Sequence, residues 1–321
     1  MNLALTGTPI ENSLGELKSL FDIILPKYLP SENEFREKFV IPIEKDRNIE
    51  ANNLLSALIK PFVLRRKKTE VLEDLPEKIE EISYTELLPK QRELYTKVAS
   101  KSKEMLEDED QKHFHIHVFA LLNTLKQICN HPALYYDDIK NYQEYASGKW
   151  ELFVELLDES RQSKQKVVVF TQYLGMMDII ESYLKENSIK YAAIRGSTSN
   201  RKEQVNYFQN NSECEVFVGS LNAAGVGIDL TAASVVIHYD RWWNPARENQ
   251  ATDRVHRMGQ SKGVSVFKFV TKHSLEEHIH QIIEKKTKLI ETIVGYDSED
   301  SLKKLGKDEL KKILKSIQSD L

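Results

Sequence analysis

Five short apolar runs, each separated from the next by enough residues to form a helix, recur between residues 149 and 290. They are rich in β-branched residues and mostly continuous rather than alternating, and they span Lys166–Thr171, Tyr191–Ile194, Glu215–Gly219, Ser234–Tyr239 and Val264–Val270. Strands covered by helices on both faces have this pattern. The sequence therefore predicts an α/β fold with an open parallel sheet. Ligands of such sheets bind at the carboxyl ends of the strands, so the loops that follow these runs are the expected site.

The rest of the chain has a different character. Residues 31–148 are highly charged and interrupted by five prolines, which predicts a helical insertion with at most one exposed strand, Lys78 to Leu87. Residues 297–321 predict a Lys-rich C-terminal helical tail.

Composition limits the function classes. With 45 basic and 49 acidic residues the net charge is −4, so any nucleic-acid site must be a local patch. Cys129 and Cys214 are the two cysteines, which indicates no disulfide framework, no Cys-rich zinc site and a reducing compartment. The segment from His113 to His117 has three histidines but lacks further ligands at metal-site spacing, so no metal site is predicted. Long apolar stretches of the kind that span a membrane are absent from the sequence.

The segment Gln250–Gln260 combines an amide with two arginines. On a helix, Gln250, Arg254 and Arg257 would fall at i, i+4 and i+7 and share one stripe. Guanidinium groups match phosphate oxygens bidentately, so this stripe is suited to a polyphosphate. A solvated helix with surface arginines is the alternative interpretation.

Small residues follow a buried strand in the segment Ser220–Leu230. Gly225 and Gly227 would let the backbone approach a ligand closely, and Asp229 could orient arginines or bind ribose. A dinucleotide fingerprint fails here because its third glycine would fall on Leu230. A plain strand-to-helix turn is the alternative.

The longest basic run is Arg65-Arg66-Lys67-Lys68. Consecutive cations attract phosphate whatever the fold, so Arg65 and Arg66 are candidate DNA contacts. A contact between lobes, a nuclear-localisation signal or a solvated helix face remain alternatives.

Six blocks, taken together and in order, resemble successive motifs of the SWI/SNF-type branch of the superfamily-two helicases. They are Thr6–Asn12, Lys166–Tyr173, Arg195–Thr198, Ser220–Leu230, Asp240–Pro245 and Gln250–Gln260. Segments at Phe62–Lys68 and Gln127–Pro132 are also similar to this branch, so the resemblance covers nearly the whole chain.

The resemblance implies a motor of two RecA-like lobes that binds ATP between the lobes and double-stranded DNA across both. In that family the first lobe holds the P-loop lysine and the acidic box for Mg²⁺. This sequence has no Gly-Lys-Thr, Gly-Lys-Ser or Asp-Glu-x-His pattern. The expected organisation is the end of a first RecA-like lobe over residues 1–30, an insertion over 31–148, a second RecA-like lobe over 149–296 and the tail over 297–321. ATP and Mg²⁺ are then expected to be held mainly by the first lobe, which is also an expected partner.

The resemblance also implies roles for individual residues. Arg254 and Arg257 match the arginine fingers and Gln250 opens the same motif, while Gly225, Gly227 and Asp229 lie in the block that faces ATP. Phosphate contacts to DNA are implied for Arg195, Gly196, Ser197, Thr198 and Ser220. Trp242 resembles the coupling tryptophan beside the cleft and is also a candidate DNA-binding residue. Asp229 and Asn222 stand where the family more often has Asn and Lys.

Two function classes follow from this interpretation. The first is the C-terminal half of an ATP-driven double-stranded DNA translocase, inactive without its other lobe. The second is a fragment that binds DNA or a partner without turnover. A generic RNA helicase is a weaker third interpretation, disfavoured by the block Asp240–Pro245. The expected location is the nucleoid in the cytoplasm of a prokaryote, or otherwise the nucleus.

Overall fold

The computed structural model describes residues 3–4, 14–45, 48–64, 75–101, 114–221, 227–243, 245–293 and 315. These residues form two compact units. The first contains residues 14–64 with 243, 245–246 and 282–293, and the second contains residues 75–242 and 247–281. The predicted tail over 297–321 lies outside the described residues, apart from residue 315.

The first unit is helical around a small apolar core. Its elements are helices α1 (Leu14–Ile24), α2 (Glu32–Phe35) and α3 (Ile49–Ile59), with a π-helix at Arg36–Lys45 and a 3₁₀ turn at Lys60–Phe62. The Asn48 side chain accepts a hydrogen bond from the Ala51 backbone N–H (3.0 Å) and so caps α3. The core is made of Leu14, Leu17, Phe21, Leu29, Phe35, Phe39, Ile43, Leu55 and Ile59.

The second unit is built on a six-stranded sheet in which every pairing is parallel. The strands are β1 (Lys78–Thr85), β2 (Val167–Thr171), β3 (Tyr191–Ile194), β4 (Val216–Ser220), β5 (Val235–His238) and β6 (Val264–Thr271), in the order β1-β6-β5-β2-β4-β3. The predicted open parallel sheet is confirmed, and all five predicted runs are strands.

Successive side chains on the central strands enter two different cores. On β2, Val167 and Val169 join one apolar cluster, while Val168 and Phe170 join another. Strand side chains alternate between the faces of a sheet, so an uninterrupted apolar run supplies both cores at once. This is why these strands have no polar face in the sequence.

Helices cover both faces of the sheet and precede or follow its strands. They are α4 (Pro89–Ala99), α5 (Phe114–Asn130), α6 (Pro132–Tyr136), α7 (Gly148–Gln162), α8 (Leu174–Glu186), α9 (Arg201–Asn210), α10 (Pro245–Thr252) and α11 (Leu275–Ile293), with a 3₁₀ segment at Ile139–Glu144. Among the helices that the structure describes, none is both long enough and apolar enough to cross a bilayer.

The strand expected within the insertion is an edge strand of this same sheet. β1 pairs with β6 in a register that runs from Lys78 opposite Val264 to Thr85 opposite Thr271. Lys268 on β6 forms an ion pair with Glu80 on β1 (2.5 Å). The exposure of this strand was anticipated from the sequence, but its membership of the sheet was not.

Candidate functional site at the carboxyl edge of the sheet

Polar groups tie the ends of the central strands together at the carboxyl edge. The Thr171 hydroxyl, at the end of β2, donates to the Asp240 carboxylate just beyond β5, and the Gln172 backbone N–H donates to the same carboxylate (3.3 Å). Burial raises the pKa of Asp240, although Lys126 acts in the opposite direction. These bonds fix the start of the loop that carries Trp242.

The predicted helical stripe of Gln250, Arg254 and Arg257 is wrong, because α10 ends at Thr252. Beyond Thr252 the backbone tightens into turns, with the Arg254 N–H bonded to the Ala251 carbonyl (3.1 Å). Two carbonyls that would continue the helix have other partners. The Arg254 carbonyl accepts from the Leu230 N–H (3.0 Å), and the Val255 carbonyl accepts from the Gln260 side chain (3.2 Å). Hydrogen bonds from Leu230 and from the Gln260 side chain therefore replace the backbone bonds that a continuing helix would make.

The same contacts bring two predicted segments together. The bond from Leu230 to Arg254 joins the loop at residues 227–231 to the arginine segment. Ile228 and Leu230 share an apolar cluster with Ala251 and Val255. The predicted ATP-facing block and the predicted arginine fingers thus lie side by side. Gly225 lies outside the described residues.

The side chains of the arginine segment differ in their surroundings. Gln250, Arg254 and Arg257 are each half-buried. Within the described part of the chain, the Arg257 guanidinium has no hydrogen-bond or ion-pair partner. Since a guanidinium keeps its charge at physiological pH, Arg257 presents a cation with its donors available to an anion.

The loop at residues 227–231 is shaped by one glycine and one carboxylate. Gly227 has a φ of +55° and is exposed, and a Cβ added there would meet open space. Asp229 accepts from the Thr231 backbone N–H (3.2 Å) and from the Gln209 side chain (3.4 Å) on α9. Asp229 therefore holds the loop against α9, a structural contact that the sequence did not indicate.

The predicted phosphate contacts follow two neighbouring strands. Ile194 on β3 is paired with Gly219 on β4, so the loop of Arg195–Thr198 begins beside Ser220. Gly196 and Ser197 are exposed, whereas Ser220 is buried. The structure therefore brings this set together at one corner of the edge.

The Arg195 side chain forms ion pairs within the chain. Its guanidinium lies 2.6 Å from Asp178 and 2.6 Å from Glu181, both on α8. Burial acts to lower the pKa of Arg195, but the two carboxylates outweigh it and raise the pKa. The Arg195 backbone N–H donates to the Thr198 hydroxyl (2.9 Å). The guanidinium would have to leave its ion pairs to reach a phosphate. Arg65 and Arg66 lie outside the described residues.

Trp242 is half-buried and packs against the apolar cluster that also contains Ala251 and Val255. Its backbone N–H donates to the Glu248 carboxylate (2.7 Å). Trp242 therefore packs close to the arginine segment.

Sequence reasoning missed the buried charges behind this edge. Arg241, Glu248 and Lys126 are all less than 4% exposed. A signal existed for Lys126, since it lies on the apolar stripe of α5 between Leu122 and Cys129 at i+4 and i+3 spacing. A charge on a buried stripe requires a partner elsewhere in the fold.

Comparison with known proteins identifies the family. The SNF2-related domain matches residues 1–134, and the helicase conserved C-terminal domain matches residues 148–259. The SWI2/SNF2 ATPase C-terminal domain of Sulfolobus solfataricus is 32% identical, with 74% of this chain and 98% of that chain covered and a TM-score of 0.60. The chain belongs to the SNF2 family. Its sheet with flanking helices is the RecA-like C-terminal lobe of that family.

Two further relatives are longer than the chain. The putative ATP-dependent helicase/translocase YwqA of Bacillus subtilis is 38% identical over 97% of this chain and 34% of its own length. The Sulfolobus solfataricus SWI2/SNF2 ATPase core in complex with double-stranded DNA is 36% identical over 97% of this chain and 66% of that chain, with a TM-score of 0.61. The chain spans about a third of the length of the curated SNF2 relatives it matches.

Proposed function

We propose that this chain is the C-terminal motor lobe of an ATP-dependent double-stranded DNA translocase. Its arginine segment would face ATP, and the loops after β3 and β4 would contact DNA phosphates. The observation that carries the proposal is the bond between the Leu230 N–H and the Arg254 carbonyl. That bond joins the two segments that are expected to face the nucleotide.

The residues of these two segments suit the phosphates of ATP. A Cβ added at Gly227 would have no described atom outside its chain neighbours within 4 Å, and Gln250, Arg254 and Arg257 offer donors of the kind that phosphate oxygens accept. When bound, ATP supplies the phosphoryl group. Arg254 and Arg257 would stabilise the charge that develops on it, and Gln250 would help to orient the segment. Mg²⁺ would be held mainly by the other RecA-like lobe.

The DNA site would use the backbone more than base edges. Gly196 and Ser197 are exposed at the corner of the sheet, where backbone amides and hydroxyls can bind phosphate oxygens. Such contacts position a duplex without reading its sequence. The ion pairs of Arg195 would then orient the loop from within. The other RecA-like lobe of the same motor is the partner that would complete the nucleotide cleft.

The test is ATP hydrolysis by the whole protein with and without double-stranded DNA. We expect the rate to rise with DNA and residues 1–321 alone to show no DNA-stimulated turnover. The chain has no Gly-Lys-Thr or Gly-Lys-Ser loop to hold the β- and γ-phosphates. Robust turnover by purified 1–321 would contradict the assignment of ATP binding to another lobe. A whole protein that binds DNA but never hydrolyses ATP would favour the alternative of a non-catalytic binding protein.

A salt titration tests the basic run at residues 65–68. If binding neutralises phosphates, the affinity of residues 1–321 for duplex DNA should be indifferent to sequence and should fall steeply with salt. Replacing both Arg65 and Arg66 by alanine should flatten the slope of log affinity against log salt by about one unit per lost contact. Lys97→Ala, on exposed α4 surface, is a control of equal charge change per site and should leave the slope unchanged. An unchanged slope in the arginine variant would remove this run from the DNA site.

A further inference from the structure

The turn at residues 240–242, which we call the tryptophan turn, receives polar contacts from several other segments. Its Arg241 carbonyl accepts from Lys126 on α5 (2.8 Å) and from the Gln172 side chain after β2 (3.3 Å). The Arg241 guanidinium lies 2.7 Å from His280 on α11. The backbone of this turn is thus fixed by elements far apart in the chain.

Glu248 bonds both a side chain and the backbone of this turn through one carboxylate. A single carboxylate oxygen accepts from Arg241 Nε (3.0 Å) and from the Trp242 backbone N–H (2.7 Å). Glu248 is fully buried, and a buried carboxylate is costly unless it is paired. Burial acts to raise the pKa of Glu248, but Arg241, His238 and Lys268 outweigh it and lower the pKa. Glu248 is therefore an anion that holds two donors of the turn.

The position of Glu248 in the chain connects the tryptophan turn to the arginine segment. Glu248 lies on α10, which ends at Thr252 and leads directly into the segment of Arg254 and Arg257. A displacement of the Trp242 backbone must therefore either move α10 or break its charge-assisted hydrogen bond to Glu248, which is stronger than a neutral one.

We propose that Glu248 is a positioning residue that couples the tryptophan turn to the arginine segment. The proposal rests on the proposed function, because it assigns to Glu248 the task of transmitting DNA engagement at Trp242 to the arginines. Glu248 itself touches neither ATP nor DNA in this scheme. A purely structural role would lower stability without uncoupling turnover from DNA.

The experiment compares the whole protein with its Glu248→Gln variant, which keeps the shape and loses the charge. Hydrogen exchange at the Trp242 amide should become about tenfold faster or more, since the amide loses a charged acceptor. DNA-stimulated kcat should fall by about 10- to 100-fold, the scale of a small misplacement, with little change in the KM for ATP. Glu248→Asp keeps the charge but is shorter, so it should restore part of both effects.

Glu215→Gln is the matched control. Glu215 forms a similar pair with Arg161, at 2.9 Å from its Nε, beside the amino end of β4. This variant should change neither Trp242 exchange nor DNA stimulation. The proposal would be overturned if hydrogen exchange at the Trp242 amide were unaltered in Glu248→Gln, or if exchange were faster but DNA still stimulated ATP turnover fully. An equal loss of DNA-stimulated turnover in Glu215→Gln would also overturn it. A wild-type protein that DNA does not stimulate would instead refute the proposed function.

Discussion

Replacing Arg257 by alanine in the whole protein is expected to lower the turnover number for ATP by about 10³-fold or more, the scale of an arginine finger. The Arg257 guanidinium has no partner among the described residues, so it can bind a phosphate without first breaking an internal ion pair. A finger stabilises the transition state more than the ground state. The affinities for nucleotide and DNA should therefore change little, which equilibrium binding and steady-state kinetics can measure together.

Arg257→Lys is the sharper variant, because it keeps the charge and loses the planar fork. We expect it to remain badly impaired if bidentate geometry matters. Near-normal turnover would reduce Arg257 to a general positive charge. Arg92→Ala is the control, since Arg92 is a surface arginine whose side chain is 56% exposed and lies 3.5 Å from Glu86. An equal loss in that variant would show that the effect of Arg257 is not local.

Replacing Glu276 by glutamine is expected to lower the free energy of unfolding by about 3–5 kcal/mol, the cost of breaking a buried ion pair from one side. Lys149 lies 2.6 Å from the Glu276 carboxylate, and both side chains are fully buried. Lys149 also donates to the Asn130 side chain (2.9 Å), and Glu276 accepts from the Thr271 N–H (3.0 Å). The variant would leave a buried ammonium beside a neutral amide. Urea unfolding of residues 1–321, followed by tryptophan fluorescence, measures the loss.

The double variant Lys149→Met with Glu276→Gln separates charge from packing. Removing both charges should recover part of the lost stability, because no unpaired ammonium then remains buried. Glu215→Gln provides the comparison at a partly exposed pair, where the loss should be about 1 kcal/mol or less. A double variant as unstable as Glu276→Gln alone would show that the unpaired buried ammonium does not account for the loss.

The sequence determined the sheet, because its signal is local. A strand such as Val167–Thr171 is recognised from the β-branched residues within it. Its continuous apolar run indicates that both faces are buried, whatever the path of the rest of the chain. The order of the motif blocks likewise placed Arg195, Ser220 and Trp242 after strand ends. The family and the fold class could both be predicted in this way.

Only the tertiary structure decided contacts between residues distant in the chain. The Leu230 N–H donates a hydrogen bond to the Arg254 carbonyl. This bond helps to end a helix that the spacing of Gln250, Arg254 and Arg257 alone would continue. β1 joins β6 across more than 170 residues, and Lys149 meets Glu276 across 127. Helical spacing predicts which residues share a face of a helix. It does not predict which distant group pairs with a buried charge or donates to a buried carbonyl. That partner is set by the path of the whole chain, which is why Glu248 and its contacts with Arg241 and Trp242 could be identified only in the folded protein.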